Sequence, residues 1–136
     1  MNLIGITCAI ATFMGIWVGH VAVRRIEFNA RSLTLPILGT LIGGLGLGSL
    51  SALTRNSLLS SALGIIGMTL MWDALEFVRQ ERRIRKGHAP ANPNNPRHAV
   101  ILNEHPSATL LDLLKRDPRG LPYSADELNS LSAGDS

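Results

Sequence analysis

The sequence offers little that would support a disulfide, a cysteine-based metal site or a charged, water-exposed surface. It has one cysteine, Cys8, so an internal disulfide is excluded. Charged residues make up 17% of the 136 residues, whereas soluble proteins average about 25%. The charges are also unevenly placed, since nine of the thirteen Lys and Arg residues and seven of the ten acidic residues follow Val78. The first half of the chain is therefore poor in charge.

Three long apolar segments occupy that first half, at residues 3–23, 33–53 and 58–78. A helix that crosses a bilayer needs about 20 mainly apolar residues. A soluble protein with buried central helices is the alternative, but no amphipathic segment remains to surround three such helices in water. We predict an all-α membrane protein whose three transmembrane helices form a domain over residues 1–87. The third helix should extend into the cytoplasm, because strong helix formers continue up to Gly87.

Basic residues predict the orientation, since Lys and Arg in short loops are retained on the cytoplasmic side. The first connection carries Arg24, Arg25 and Arg31, and the second carries only Arg55. A second basic cluster follows the third segment and comprises Arg79, Arg82, Arg83, Arg85 and Lys86. We therefore expect a bacterial cytoplasmic (inner) membrane protein with its N-terminus outside and its C-terminus inside. The second cluster either contacts lipid headgroups or acts only as a topological anchor.

Glycines recur at helical spacing in the second segment. Gly39 lies one turn before Gly43, and Gly44 lies one turn before Gly48. Small residues at this spacing allow another helix to approach closely. The recurrence favours a helix-packing surface, within the molecule or with a partner, over the general abundance of glycine in membrane helices.

Ionisable residues lie near the cytoplasmic ends of the first and third segments. They are His20, Arg24 and Glu27 in the first, and Asp73 and Glu76 in the third. Such residues are costly in a membrane and frequently functional. A proton or ion relay is one interpretation. We favour an interfacial polar cluster that holds the first and third helices together, because His20 and Glu76 lie away from the midplane. Within it, Glu76 is expected to pair with His20 or Arg24.

The rest of the chain is predicted to be a linker followed by a cytoplasmic tail. Three prolines and three asparagines between positions 89 and 96 favour an extended linker over residues 88–97. In the tail, residues 98–136, we predict short helices over residues 107–116 and 125–131. The leucines of the first short helix favour docking onto another surface, and a mostly disordered tail is the alternative.

Patterns typical of catalysis or metal binding are missing from the sequence. His88, His98 and His105 lack close ligand spacing. The glycines are not followed by the Lys-Ser/Thr of a phosphate loop, and the serines lack a nucleophile-elbow pattern. We therefore expect no enzymatic activity, no metal and no cofactor. We also expect no nucleic-acid partner, since topology already accounts for the basic cluster.

Two stretches of the chain resemble the domain of unknown function 4491 family, a group of small multi-pass membrane proteins. One is Gly19-His20 with Glu27 seven residues later; the other runs from Gly64-Ile65-Ile66-Gly67 through Trp72, Glu76, Gln80, Arg83, Lys86-Gly87 and Pro90 to Asn92-Pro93. Together they cover about residues 1–96. The family commonly has proline where Val21 stands and an aromatic residue where His88 stands. The resemblance implies the membrane architecture and carries no activity with it.

These features lead to two hypotheses on function. The first is an accessory, structural or assembly subunit of a larger membrane complex, in contact with membrane lipids and with other subunits or copies of itself. The alternative is a small oligomeric transporter or channel with the polar cluster at its cytoplasmic mouth.

Overall fold

The computed structural model describes residues 3–112 together with residues 124 and 126. Its helices over this part of the chain are α1 (Leu3–Asn29), α2 (Thr34–Leu53), α3 (Ser57–Arg85) and α4 (Pro96–Glu104), and the same residues contain no strand. The first three helices are long and apolar enough to cross a membrane. The predicted all-α class with three candidate transmembrane helices is confirmed.

The three long helices expose most of their apolar side chains. In the most apolar 18-residue stretch of each helix, the buried share is 17% in α1, 6% in α2 and 17% in α3. On α2, Leu35 and Leu53 are each 80% exposed and Ile42 is 69% exposed. Such surfaces would be unfavourable in water, whereas hydrocarbon solvates them well. The chain is therefore a membrane protein.

Local signals set the ends of α2 and α3. Pro36 lies in the first turn of α2, where its missing N–H costs little. Asn56 precedes α3, and its side-chain oxygen accepts hydrogen bonds from the backbone N–H groups of Leu58 and Leu59. At the other end of α3, Gly87 has a φ of 70°, and its N–H donates to the carbonyl of Ile84. The third helix thus continues beyond Val78 and stops where glycine permits the left-handed turn.

The described residues form two compact units. The membrane unit contains residues 3–27 and 32–78, and the terminal unit contains residues 28–31, 79–112, 124 and 126. This division differs from the predicted domain over residues 1–87. The loop after α1 and the last turns of α3 belong to the terminal unit because their hydrogen bonds and apolar contacts are made there.

The segment predicted as an extended linker over residues 88–97 is folded, so that prediction is wrong. Ala89 and Ala91 are buried and form the core of the terminal unit with Ile84 and Ile101. α4 begins at Pro96, inside the predicted linker. Asn95 caps this helix by accepting a hydrogen bond from the N–H of Arg97, so the Asn-Pro pair marks a helix start.

The helix predicted over residues 107–116 is also incorrect in its described part, since residues 107–112 form a turn and irregular backbone. The carbonyl of Thr109 accepts a hydrogen bond of 2.8 Å from the N–H of Ala91, and Ala108 packs on the core. A helix over this segment would break these contacts. Residues 113–116, and the predicted helix over residues 125–131 apart from Asp126, lie outside the described residues.

Candidate functional site

Small residues on α1 form its contact with α3. A β-carbon added to Gly15 would lie 2.8 Å from the hydroxyl oxygen of Thr69. One added to Gly19 would lie 2.7 Å from both carboxylate oxygens of Asp73. Gly15 and Gly19 are one turn apart, so the two helices approach along a Gly-xxx-Gly surface on α1. The same spacing is visible in the first apolar segment of the sequence, but no packing surface was predicted there.

The glycines of α2 divide into a packed set and an open set. A β-carbon on Gly44 would lie 2.5 Å from Cγ of Met71 and 2.6 Å from the carbonyl oxygen of Gly67. The N atom of Gly48 lies 3.0 Å from the β-carbon position of Gly67. Gly44 is therefore packed against α3, whereas a β-carbon added to Gly48 itself would meet no atom within 4 Å. Around Gly39, by contrast, no atom lies within 4 Å of the added β-carbon, and at Gly43 the nearest is Leu70 Cδ1 at 3.8 Å.

A reciprocal serine contact joins α2 and α3 at their connected ends. Ser51 Oγ donates to the carbonyl of Ser60 over 2.6 Å, and Ser60 Oγ donates to the carbonyl of Ser51 over 2.9 Å. Both hydroxyls are thereby satisfied inside the apolar unit, as buried polar groups require. Together with the Gly44–Gly67 contact, these bonds hold α2 and α3 as a tight hairpin.

The predicted polar cluster is brought together in part. Glu27, Asp73 and Glu76 are buried, with exposures of 1%, 8% and 7%. His20 and Arg24 are exposed. The charged groups that act electrostatically on Asp73 are His20 and Glu76. His20 therefore lies within electrostatic reach of Asp73.

A groove runs along α1 and α3 within the membrane unit. It encloses about 350 Å³. Its lining is Met14, Gly15, Val18, Gly19, Ala22, Val23, Ile26, Thr40, Ile66, Thr69, Leu70, Asp73 and Phe77. The hydroxyl of Thr40 donates to the carbonyls of Pro36 and Ile37, and that of Thr69 donates to Ile66. Asp73, in contrast, makes no hydrogen bond or ion pair within residues 3–112. It is the lining side chain with unused hydrogen-bonding capacity.

In the terminal unit, two asparagines bind the loop that follows α1. The side-chain N–H groups of Asn95 donate to the carbonyls of Phe28, over 3.1 Å, and Ala30, over 3.0 Å. Asn92 donates to Phe28 over 3.0 Å. Asn95 is 3% exposed, so its own two bonds are shielded from water. Both asparagines lie in the segment predicted as a linker, so this role was not predicted from the sequence.

Glu81 links α3 to α4 in the same unit. Its carboxylate accepts from Arg97 Nη1 over 2.8 Å and also from Arg85. His98, which is fully buried, accepts the backbone N–H of Asn92 at Nδ1 over 2.8 Å and lies edge-on to the ring of Phe28. These contacts hold α4 on the end of α3.

The basic residues predicted to contact lipid headgroups all belong to the terminal unit. Arg79, Arg82, Arg85 and Lys86 are exposed, and Arg83 is half-buried. Arg83 donates to the side-chain oxygen of Gln80 over 3.1 Å, and Arg85 pairs with Glu81. Arg79, Arg83 and Arg85 therefore each have an interaction within the chain, so Arg82 and Lys86 are the remaining candidates for the predicted contact with lipid headgroups. In the part of the chain that the structure describes, no three His, Cys, Asp or Glu side chains converge as metal ligands would.

The model of a family described as a domain of unknown function (DUF4491) matches residues 2–95. The chain belongs to this family. The match covers α1, α2 and α3 and ends at Asn95, the residue that caps α4. It confirms the resemblance carried by the two stretches around His20 and Glu76. No curated protein and no solved structure matches the chain.

Proposed function

We propose that this family member is an accessory, structural or assembly subunit of a larger membrane complex, without catalytic activity of its own. The observation that carries the proposal is the outer face of α2, which we define as Leu35, Gly39, Ile42, Gly46 and Leu53. Gly39 and Gly46 have no atom within 4 Å of an added β-carbon, and the three large side chains are 69–80% exposed.

Glycine at these positions lowers intrinsic helix propensity by about 1 kcal/mol per residue relative to alanine. Contact with lipid alone gives no reason for this loss of helix propensity. Contact with a partner helix does, because glycine lets the two backbones approach and increases the van der Waals contact that drives association in a bilayer. The outer face therefore suits another transmembrane helix, from a different subunit or from a second copy.

We also propose the bacterial cytoplasmic membrane, with the N-terminus outside. The loop at residues 28–31 is hydrogen-bonded to Asn92 and Asn95, so the end of α1 and the segment after α3 lie on one side of the membrane. That side carries most of the basic residues, which supports a cytoplasmic assignment.

The test is purification in mild detergent, followed by identification of the co-purifying proteins. A Gly39→Ile/Gly46→Ile double variant should lose the partner while keeping its fold. Gly5→Ile is the matched control, since Gly5 also faces open space but lies on α1. Recovery of a lone monomer, under conditions that preserve other membrane complexes, would contradict the proposal. So would a partner retained by the double variant.

A second candidate function is a small oligomeric transporter or channel. It is favoured by the buried acids Asp73 and Glu76, which lie with His20 in the mainly apolar membrane unit. Proteoliposome flux assays across candidate ions would test it. Transport should fall in Asp73→Asn, and an equal flux in empty liposomes would remove this candidate.

A further inference from the structure

The shape of the groove between α1 and α3 restricts what can fill it. Its lining extends from Met14 to Ile26 on α1 and from Ile66 to Phe77 on α3. At 1.5 Å per residue, both walls are about 17 Å long. A volume of about 350 Å³ lies at the lower end of the range for small-molecule sites. A long groove of this volume suits a narrow, extended molecule.

The chemistry of the lining restricts the ligand further. Apart from Asp73, the polar side chains of the wall are Thr40 and Thr69, whose hydroxyls already donate to backbone carbonyls of their own helices. Asp73 is 92% buried, since its exposed fraction is 8%, and it makes no hydrogen bond or ion pair within the described residues. Among the described residues no fully buried side-chain nitrogen or oxygen lacks a hydrogen-bond partner, so the carboxylate oxygens of Asp73 are accessible from the groove that it lines. A positively charged donor in the groove would stabilise this carboxylate in its mainly apolar surroundings.

The surroundings of Asp73 also favour a cation. Glu76 adds a second negative charge nearby, and His20, the basic group that acts on Asp73, is exposed and forms no hydrogen bond with it. Gly19 leaves the carboxylate room against α1, where any side chain would collide with it. The carboxylate of Asp73 therefore lies at the groove and can accept hydrogen bonds from a ligand there.

We infer that the groove is a binding site for a single-chain lipophilic amine, with the ammonium group at Asp73 and the alkyl chain along the apolar walls of α1 and α3. The site lies on α1 and α3, so it does not depend on the partner proposed for the outer face of α2.

Dodecylammonium and dodecanol are matched probes, because they share the alkyl chain and differ in the head group. Each would be added to the full chain in maltoside micelles, and binding would be read as mass-resolved adducts by native mass spectrometry. The wild type should bind dodecylammonium at least about tenfold more tightly than dodecanol, as a charge-assisted contact in a partly dry site implies.

Three variants then locate the site. Asp73→Asn should abolish the preference for the amine. Glu76→Gln removes an equal charge from a buried residue that does not line the groove, so it should weaken the preference without abolishing it. Ala22→Leu adds bulk to the wall without altering charge and should weaken both probes by roughly tenfold or more. Circular dichroism and gel filtration would verify the fold of each variant.

Equal binding of the two probes by the wild type would overturn the inference and leave a lipid-filled groove. An unchanged amine preference in Asp73→Asn would also overturn it. If Asp73→Asn fails to fold, Ala22→Leu decides, since full amine binding by that variant would place the ligand elsewhere.

Discussion

The backbones of Gly44 and Gly67 touch where α2 crosses α3. A β-carbon on Gly44 would lie 2.6 Å from the carbonyl oxygen of Gly67, and one on Gly67 would lie 2.9 Å from the carbonyl oxygen of Gly44. The contact is reciprocal and involves main-chain atoms, so rotation of a side chain cannot relieve a collision. The close crossing of α2 and α3 depends on both residues being glycine.

Gly44→Ala should therefore destabilise the membrane unit by about 1 to 3 kcal/mol, the usual cost of overpacking. Gly46→Ala is the control on the same helix, because an added β-carbon there meets no atom within 4 Å. It should be neutral or slightly stabilising, since alanine is the better helix former. Thermal unfolding in detergent would compare the two. Equal midpoints would show that α2 and α3 do not cross at this residue.

A second prediction concerns Gly19 and Asp73. Gly19→Ala would place a β-carbon 2.7 Å from both carboxylate oxygens of Asp73, so α1 and α3 must separate or the acid must move. We expect a loss of stability of about 1 to 3 kcal/mol. The smaller side chain of Asp73→Ser should reduce that loss in the double variant. Gly5→Ala serves as the control on α1 and should have little effect. A loss of equal size in the Asp73→Ser background would argue against the contact.

The polar cluster can be tested with two double-mutant cycles measured by unfolding in detergent. The cycle between His20→Ala and Asp73→Asn should give a coupling energy of about 0.5 kcal/mol or more, because His20 acts electrostatically on Asp73. The cycle between His20→Ala and Glu76→Gln should be closer to additive. A larger coupling to Glu76 would support the His20–Glu76 pair expected from the sequence.

Asn95 should be required for the terminal unit. Asn95→Ala removes the donors to the carbonyls of Phe28 and Ala30 together with the cap of α4, so we expect a loss of about 1 to 3 kcal/mol. Asn95→Asp keeps the capping oxygen and loses only the donors. Faster hydrogen exchange and proteolysis in residues 28–31 would reveal both changes. The exposed neighbour Asn94 provides the control, and an equal response to Asn94→Ala would refute the assignment.

The orientation can be checked by labelling with a membrane-impermeant thiol reagent in a Cys8→Ala background. Cysteine at Arg55, in the exposed α2–α3 connection, should react in intact cells. Cysteine at Asn94, exposed in the terminal unit, should react only after the membrane is opened. The reverse pattern would show that the N-terminus is inside.

The sequence by itself determined the number of candidate spans and the end of the third helix. Both depend on local properties: the length of an apolar run against the thickness of a bilayer, and the absence of a helix breaker before Gly87. Neither requires knowledge of which residues meet. For the same reason, the Asn-Pro cap of α4 was readable from the chain, although it was interpreted as part of a spacer.

Only the tertiary structure decided which of the glycine pairs with the same spacing pack against another helix. The pairs Gly39–Gly43 and Gly44–Gly48 have the same spacing, yet Gly44 packs against Gly67 while Gly39 faces open space, because the rotation of α2 about its axis is set by its neighbour. Asn95 binds carbonyls that lie 65 and 67 residues earlier in the chain, which no local pattern can reveal. The conformation around Thr109 likewise depends on a tertiary contact, because its carbonyl accepts a hydrogen bond from the N–H of Ala91. A carbonyl that is already bonded to another segment of the chain is not available to a local helix.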